Sequence, residues 1–114
     1  MKTVIAGSRA FENISLMREE LSDIDFEITE VISGTAKGAD TLGEKWAYEN
    51  NVALKRIAPD WRKFGRSAGV IRNEEMAKCA DALVAFWDGE SRGTKHMIGI
   101  AKEYGLKIKV VLIK

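Results

Sequence analysis

Three times along this chain, an apolar stretch with strand character leads to a loop that holds glycine, a hydroxyl side chain and a basic residue. The loops are residues 7–9, 34–40 and 91–94, with the sequences GSR, GTAKGAD and SRGT. A helix-like stretch follows each loop, and the start of a helix offers unpaired backbone N–H groups and the positive end of its dipole. The repeated pattern predicts an α/β chain that binds one phosphate-bearing ligand.

Strand and helix patterns alternate along the sequence. We predict strands at residues 3–6, 28–33, 52–57, 82–87 and 107–113, and helices at residues 13–21, 39–50, 67–78 and 93–104. Residues 58–69, which contain the only proline, are predicted as a loop. Such alternation implies a mostly parallel sheet covered on both faces, with right-handed crossovers. The predicted fold is therefore a three-layer, Rossmann-like, doubly wound domain over residues 1–114.

The character of each strand predicts its place in the sheet. The third strand carries Lys55 and Arg56, which suits an exposed edge, whereas the first and fourth strands are apolar and suit the centre. The predicted order of the five strands is therefore 3-2-1-4-5. In this order the loops after strands 1 and 4 flank the topological switch point, where doubly wound sheets bind ligands.

Composition narrows the class of protein. A net charge of +1 does not favour a protein that coats nucleic acid by charge alone. The single cysteine, Cys79, excludes an internal disulfide and a cysteine zinc cluster. No apolar run reaches membrane-spanning length, and the sequence enters a strand without a signal-peptide pattern. We expect a cytoplasmic protein with no membrane partner.

The loop residues are the candidate phosphate ligands. In the third loop, hydroxyl and backbone donors and the fork of Arg92 suit a phosphate; the alternative is an ordinary helix N-cap. The second loop brings backbone close to a ligand, or is a glycine-rich turn in which Asp40 caps the helix. It lacks the spacing of a Walker P-loop. The predicted ligand-binding residues in the three loops are Gly7, Ser8, Arg9, Gly34, Thr35, Ala36, Lys37, Gly38, Asp40, Ser91, Arg92, Gly93 and Thr94.

Further candidates lie outside the three loops. Arg72 and Asn73 are predicted in the binding site, Arg72 as a second phosphate clamp or, alternatively, as the partner of Glu74 or Glu75. Trp61 is predicted to stack on a base or to act as a lid, and Trp87 to lie in the core or a dimer interface. The lone His96 is interpreted as a solvated helix residue, and no metal site or cofactor is predicted. Asp40, Asp60 and Asp88 are the carboxylates on candidate loops, and the catalytic residues are unknown.

Five motifs in a fixed order carry a resemblance to a known family. The chain resembles the small YspA/YpsA-related branch of the SLOG superfamily, whose relatives include the Lonely-guy phosphoribohydrolases and the DNA-processing protein A. The resemblance implies a Rossmann-like sheet and a site for a nucleotide or a nucleotide-derived metabolite. The motifs are Gly7-Ser8-Arg9-x-Phe11, Ser33-Gly34-x-Ala36-Lys37-Gly38-Ala39-Asp40, Asp60-Trp61, Gly69-x-x-Arg72-Asn73-x-x-Met76 and Phe86-Trp87-Asp88-Gly89-x-Ser91-Arg92-Gly93-Thr94.

One position departs from the hydrolases that the chain resembles. Those enzymes carry a catalytic glutamate three residues after the threonine of the fourth-strand loop, where this chain has Met97, and a thioether is neither acid nor base. The leading hypothesis is therefore binding of a nucleotide-like phosphorylated ligand. The alternatives are a nucleotide N-glycosidase with a relocated carboxylate and a single-stranded DNA-binding module. A homo-oligomer is also expected, because the three tryptophans, together with Phe64, Met76 and Met97, add apolar surface to a small chain.

Overall fold

The computed structural model describes residues 1–113. The strands are β1 (Lys2–Gly7), β2 (Glu30–Ser33), β3 (Ala53–Arg56), β4 (Ala82–Trp87) and β5 (Lys107–Leu112). The helices are α1 (Ile14–Ser22), α2 (Ala39–Glu49), α3 (Trp61–Phe64), α4 (Ala68–Cys79) and α5 (Arg92–Glu103). A single 3-10 turn at Gly65–Ser67 joins α3 to α4.

The strands form one five-stranded sheet in the order β3-β2-β1-β4-β5. Every neighbouring pair is parallel, and β1 lies beside β4 with Ala6 opposite Ala85. Strand β3 lies at one edge, with its four residues exposed. The predicted fold class and strand order are confirmed, and the sheet is entirely parallel. The carboxyl ends of the strands consequently lie along one edge of the sheet. Successive strands are added in one direction from β1 to β3 and in the other from β4 to β5, so the topological switch point lies between β1 and β4.

Both faces of the sheet are buried, as a parallel sheet requires. Consecutive residues of β1 point to opposite faces: Ile5 joins a core cluster with Met17 of α1, and Val4 joins a second cluster with Met76 of α4 and Met97 of α5. Side chains alternate across a strand, so one apolar strand supplies both layers. Helices α1 and α2 cover one face, and α4 and α5 cover the other.

The segment predicted as a loop at residues 58–69 is partly helical, so that prediction is wrong. The Oδ1 atom of Asp60 accepts a hydrogen bond of 3.1 Å from the backbone N–H of Lys63, which caps the first turn of α3. Helix α3 ends at Phe64, and the capping residue Gly65 has a φ of 54°, which is accessible to glycine at little cost. Four residues are too few to show helical periodicity in the sequence.

The protein exposes less apolar surface than the sequence predicts. Met76 and Met97 are 2% and 1% exposed, so the core encloses both. Trp46 and Trp87 are partly buried, whereas Trp61 is 54% exposed and Phe64 is 37% exposed. Two of the six side chains on which the expected self-association rested, Met76 and Met97, therefore lie inside the core. Within residues 1–113, no helix combines the length and the apolar character needed to span a bilayer.

Candidate functional site

A cavity of about 470 Å³ lies at the carboxyl ends of β1 and β4, at the topological switch point. We call it the central cavity. Loops after β1, β2 and β4 contribute to its wall, together with one side of α4 and the start of α5. Its lining residues are Ala6, Gly7, Ser8, Arg9, Ala10, Ala36, Asp40, Arg72, Asn73, Met76, Asp88, Ser91, Gly93, Thr94 and Met97.

Ser8 ties the loops after β1 and β4 together. Its backbone N–H donates to the carbonyl oxygen of Phe86 at 3.0 Å, and its hydroxyl oxygen accepts from the backbone N–H of Asp88 at 3.2 Å. The side chain is 3% exposed. The predicted site residue Ser8 thus fixes the mouth of the cavity through hydrogen bonds that are internal to the protein.

The loop after β2 reaches the same point because glycine permits a close backbone approach. Gly38 has a φ of 76°, and a Cβ atom there would collide with the carbonyl oxygens of Ser8 and Arg9. The next residue, Ala39, donates its backbone N–H to the Ser8 carbonyl at 3.2 Å. Gly38 therefore permits close contact between two loops of the protein, whereas the prediction was close approach to a ligand, and the residue lines neither the central cavity nor the cavity beside it.

The first turn of α5 has no side-chain cap. Ser91 occupies the N-cap position, but its hydroxyl oxygen lies 3.1 Å from the hydroxyl of Thr94 and makes no hydrogen bond to the helix backbone. The Oδ1 atom of Asp88 accepts from the N–H groups of Ser91 and Glu90, both at 2.8 Å, and these bonds hold the pKa of that carboxyl below its usual range. The loop is thus ordered by Asp88, while the N–H groups of the first turn remain available to an anion.

Arg72 and Asn73 form a hydrogen-bonded bridge between the loop after β2 and the start of α5. The guanidinium of Arg72 donates to the Gly34 carbonyl and, through Nε at 2.9 Å, to Oδ1 of Asn73. The amide nitrogen of Asn73 lies 3.3 Å from the Gly93 carbonyl oxygen and 3.0 Å from Nδ1 of His96. Arg72 therefore pairs with neither Glu74 nor Glu75, and His96 is not simply solvated.

Asp40 is the buried carboxyl group of the central cavity. Its side chain is 5% exposed, and its Oδ2 accepts from the backbone N–H of Ala36 at 3.1 Å. Burial raises the pKa of Asp40, although this hydrogen bond and the positive charge of Arg72 oppose the rise. Asp40 therefore orders the loop that precedes α2, and it is not the N-cap, which is Gly38.

A second cavity, of about 410 Å³, shares Arg9, Ala36 and Arg72 with the central cavity. We call it the tryptophan cavity. Its remaining lining residues are Gly34, Thr35, Lys37, Ala58, Pro59 and Trp61. Its wall thus contains three cationic side chains and no carboxylate, and it holds the exposed ring of Trp61 where the sequence predicts a stacking or lid residue.

Two arginines, Arg9 and Arg72, face this shared wall, and neither forms an ion pair within residues 1–113. Burial lowers the pKa of the Arg72 guanidinium, the negative charge of Asp40 opposes this shift, and the nearby positive charge of Arg9 adds to it. Arginine stays protonated in proteins, so two positive charges are held close together at one wall. That arrangement suits a ligand with negative charge.

Some predicted residues lie outside both cavities. Arg92 is exposed on the first turn of α5 and lines neither cavity, and Asp60 caps α3. Met97 lies in the wall of the central cavity. Over the part of the chain that the structure describes, no group of three or more His, Cys, Asp or Glu side chains could hold a metal ion.

Several residues that line or adjoin the candidate site have no distinctive signal in the sequence. His96 lies about one helical turn after Gly93, and nothing in that spacing predicts the hydrogen bond between its ring and the side-chain amide of Asn73. Ala10 and Pro59 line the cavities through small or rigid apolar surfaces. Such residues carry no chemical signature, so only the fold reveals them.

Comparison with known proteins agrees with this architecture. The family model described as the YspA, cpYpsA-related SLOG family matches residues 1–64, which contain β1, β2, β3 and the loops after them. The Gene 61 protein of Mycobacterium phage D29 is 32% identical over 117 residues, a match that covers 94% of this chain and 93% of that protein. No solved structure matches the chain. The chain belongs to the YspA, cpYpsA-related SLOG family.

Proposed function

We propose that this protein binds a nucleotide or a nucleotide-derived phosphorylated metabolite at the central cavity. The observation that carries the proposal is the convergence of Arg9 and Arg72, neither of which forms an ion pair within residues 1–113, with the uncapped start of α5. Membership of a SLOG family suggests a nucleotide-related ligand. A sensor or a protein that sequesters its ligand would need only this binding site.

The contacts around Arg72 support a role in recognition. Hydrogen bonds to Gly34 and Asn73 hold the guanidinium in one orientation, so little side-chain entropy remains to be lost when a phosphate binds. The N–H groups of Gly93 and Thr94 add uncharged donors at the positive end of the α5 dipole. A charged donor in a fixed orientation, together with backbone N–H donors, distinguishes a phosphate-binding site from a basic surface patch that is only solvated.

Titration calorimetry with the common nucleoside monophosphates and the matching nucleosides tests the proposal. We expect the monophosphate to bind and the nucleoside to bind much more weakly. Arg9→Ala and Arg72→Ala should each weaken monophosphate binding at least about tenfold, because a charge-assisted hydrogen bond contributes about 1.5–3 kcal/mol. Arg9 is exposed, so its removal leaves the core intact.

Arg66→Ala is the matched control, because Arg66 is exposed and lines neither cavity. It should leave the affinity unchanged. Equal weakening by all three substitutions would indicate a general charge effect and contradict the site. Strongly salt-dependent binding of a single-stranded oligonucleotide, with no binding of any monophosphate, would favour the DNA-binding alternative.

A nucleotide N-glycosidase is the second candidate function, because a buried carboxyl group lines the cavity. Burial raises the pKa of Asp40, and a carboxyl with a raised pKa is suited to act as a general acid or base. Met97 lies in the wall near it and cannot take that role. Asp40 would be the relocated carboxylate.

Release of free base from nucleoside monophosphates distinguishes the two functions. If the protein is a hydrolase, Asp40→Asn should lower the rate about 10²–10⁴-fold, since a positioned acid or base contributes that much. Binding without release of base in the wild-type protein would exclude the hydrolase. Glu90→Gln is the control, because Glu90 is exposed on the same loop and lines none of the cavities.

A further inference from the structure

A third cavity adjoins the central cavity beyond the loop that follows β1. Its volume is about 730 Å³, and it shares Ser8, Ala10 and Asp88 with the central cavity. The start of α1 and the end of β5 form the rest of its wall. We call it the phenylalanine cavity, and its remaining lining residues are Phe11, Glu12, Asn13, Leu16, Leu112 and Ile113.

The chemistry of this cavity differs from that of the other two. Phe11 is held in place by its stacking on Phe86, with the ring centroids 5.0 Å apart, and aliphatic side chains continue the apolar wall. Glu12 and Asp88 contribute carboxylates to the wall, and no basic residue among residues 1–113 lines the cavity. A phosphate is therefore disfavoured here. A planar ring with apolar faces and N–H donors at its edge fits both features.

The three cavities form one groove along the carboxyl ends of the strands. The tryptophan cavity lies at the loops after β2 and β3, the central cavity between β1 and β4, and the phenylalanine cavity reaches β5. Strands in a sheet are about 4.8 Å apart, so the distance from β3 to β5 is about 19 Å. Shared residues join each cavity to the next, and Arg9 and Arg72 lie between the two ends.

We propose that the groove binds a dinucleotide-type ligand, in which two ring-bearing groups are joined through phosphates. One ring occupies the phenylalanine cavity, the other lies against Trp61, and the phosphates lie between them at Arg9, Arg72 and the start of α5. The inference rests on the proposed function and extends it, because a mononucleotide has one ring and would leave one end of the groove empty.

Calorimetry with matched pairs of probes tests this inference. Each common nucleoside monophosphate is compared with the symmetric dinucleoside pyrophosphate of the same base. We expect at least one pyrophosphate to bind at least about tenfold more tightly than its monophosphate, because its second ring buries additional apolar surface. Leu112→Ala should weaken pyrophosphate binding at least about threefold and leave monophosphate binding unchanged.

The fold tolerates this substitution, and the chain offers a matched control. Leu112 is 72% exposed on the edge strand β5, so its truncation leaves the core unaltered. Leu54 is 40% exposed on the opposite edge strand β3 and lines none of the three cavities. Leu54→Ala should therefore change neither affinity. Trp61→Ala should weaken pyrophosphate binding from the other end of the groove.

The outcomes separate this inference from the proposed function. Monophosphate binding with no gain for any pyrophosphate would overturn the two-ring ligand and leave the proposed function standing. If a pyrophosphate binds more tightly than its monophosphate and Leu112→Ala does not reduce this difference, the placement of a ring in the phenylalanine cavity is overturned. Absence of binding for every monophosphate and every pyrophosphate would overturn both proposals.

Discussion

Replacing Asp40 by asparagine should raise the free energy of unfolding at neutral pH. The carboxyl group is almost fully buried, and burial raises its pKa despite the Ala36 N–H bond and the charge of Arg72. Ionised Asp40 therefore costs folding energy near neutral pH. Asparagine removes the charge but keeps an oxygen that can accept the N–H of Ala36, so the loop before α2 retains its internal hydrogen bond.

The size and sign of the effect follow from proton linkage. A carboxyl with a higher pKa in the folded chain binds more protons when folded. Its contribution to the free energy of unfolding therefore falls as the pH rises from the unfolded pKa to the folded pKa, by about 1.4 kcal/mol for each unit of difference. Below the unfolded pKa the cost is absent. The advantage of Asp40→Asn should thus grow through this window and then stay constant.

Urea unfolding of the ligand-free protein, at pH values from about 4 to about 8, measures this difference. Asp23→Asn is the control, because Asp23 is exposed, and it should show no comparable trend. The result that would refute the reasoning is an advantage of Asp40→Asn that shrinks or reverses as the pH rises. Attraction by Arg72 would then outweigh the cost of burial.

Other substitutions test separate parts of the structure. Gly34→Ala would place a Cβ atom 2.7 Å from Nη1 of Arg72 and 2.9 Å from Oδ2 of Asp40, so it should weaken monophosphate binding by about tenfold in calorimetry; unchanged affinity would contradict the fixed position of Arg72. Phe11→Ala should lower the free energy of unfolding by about 3–5 kcal/mol in urea, because the ring is buried and stacked; a loss below about 1 kcal/mol would contradict its place in the core. Arg92→Ala should weaken monophosphate binding less than Arg72→Ala, and its effect should fade in high salt, because Arg92 is exposed. A salt-independent loss would indicate direct contact.

The order of the strands was predictable because burial leaves a strong signal in the residues. The apolar runs of β1 and β4 and the charged pair in β3 follow from positions at the centre and the edge of the sheet. Helix α3 was not predictable, since its one turn depends on the cap from Asp60 and on the positive φ of Gly65. Short elements of this kind depend on individual hydrogen bonds, whereas long elements leave a periodic pattern.

The candidate site was only partly accessible from sequence. Glycines and hydroxyls in loops after strands marked the switch point, and Ser8, Arg72 and Asn73 line the cavity found there. The sequence did not indicate that Arg92 lies outside the cavity while its neighbour Gly93 lines it. Neighbouring positions on a helical turn point in different directions, and the sequence alone does not show which of them faces the cavity. The bond between Asn73 and His96 joins α4 to α5, and such a contact depends on how the two helices pack.

A crystal structure of the protein grown with a nucleoside monophosphate tests the central claim most directly. We predict that the phosphate lies in the central cavity, within hydrogen-bonding distance of the Arg72 guanidinium and of the backbone N–H groups of Gly93 and Thr94. Density for the phosphate at any other surface, with the central cavity empty, would contradict it.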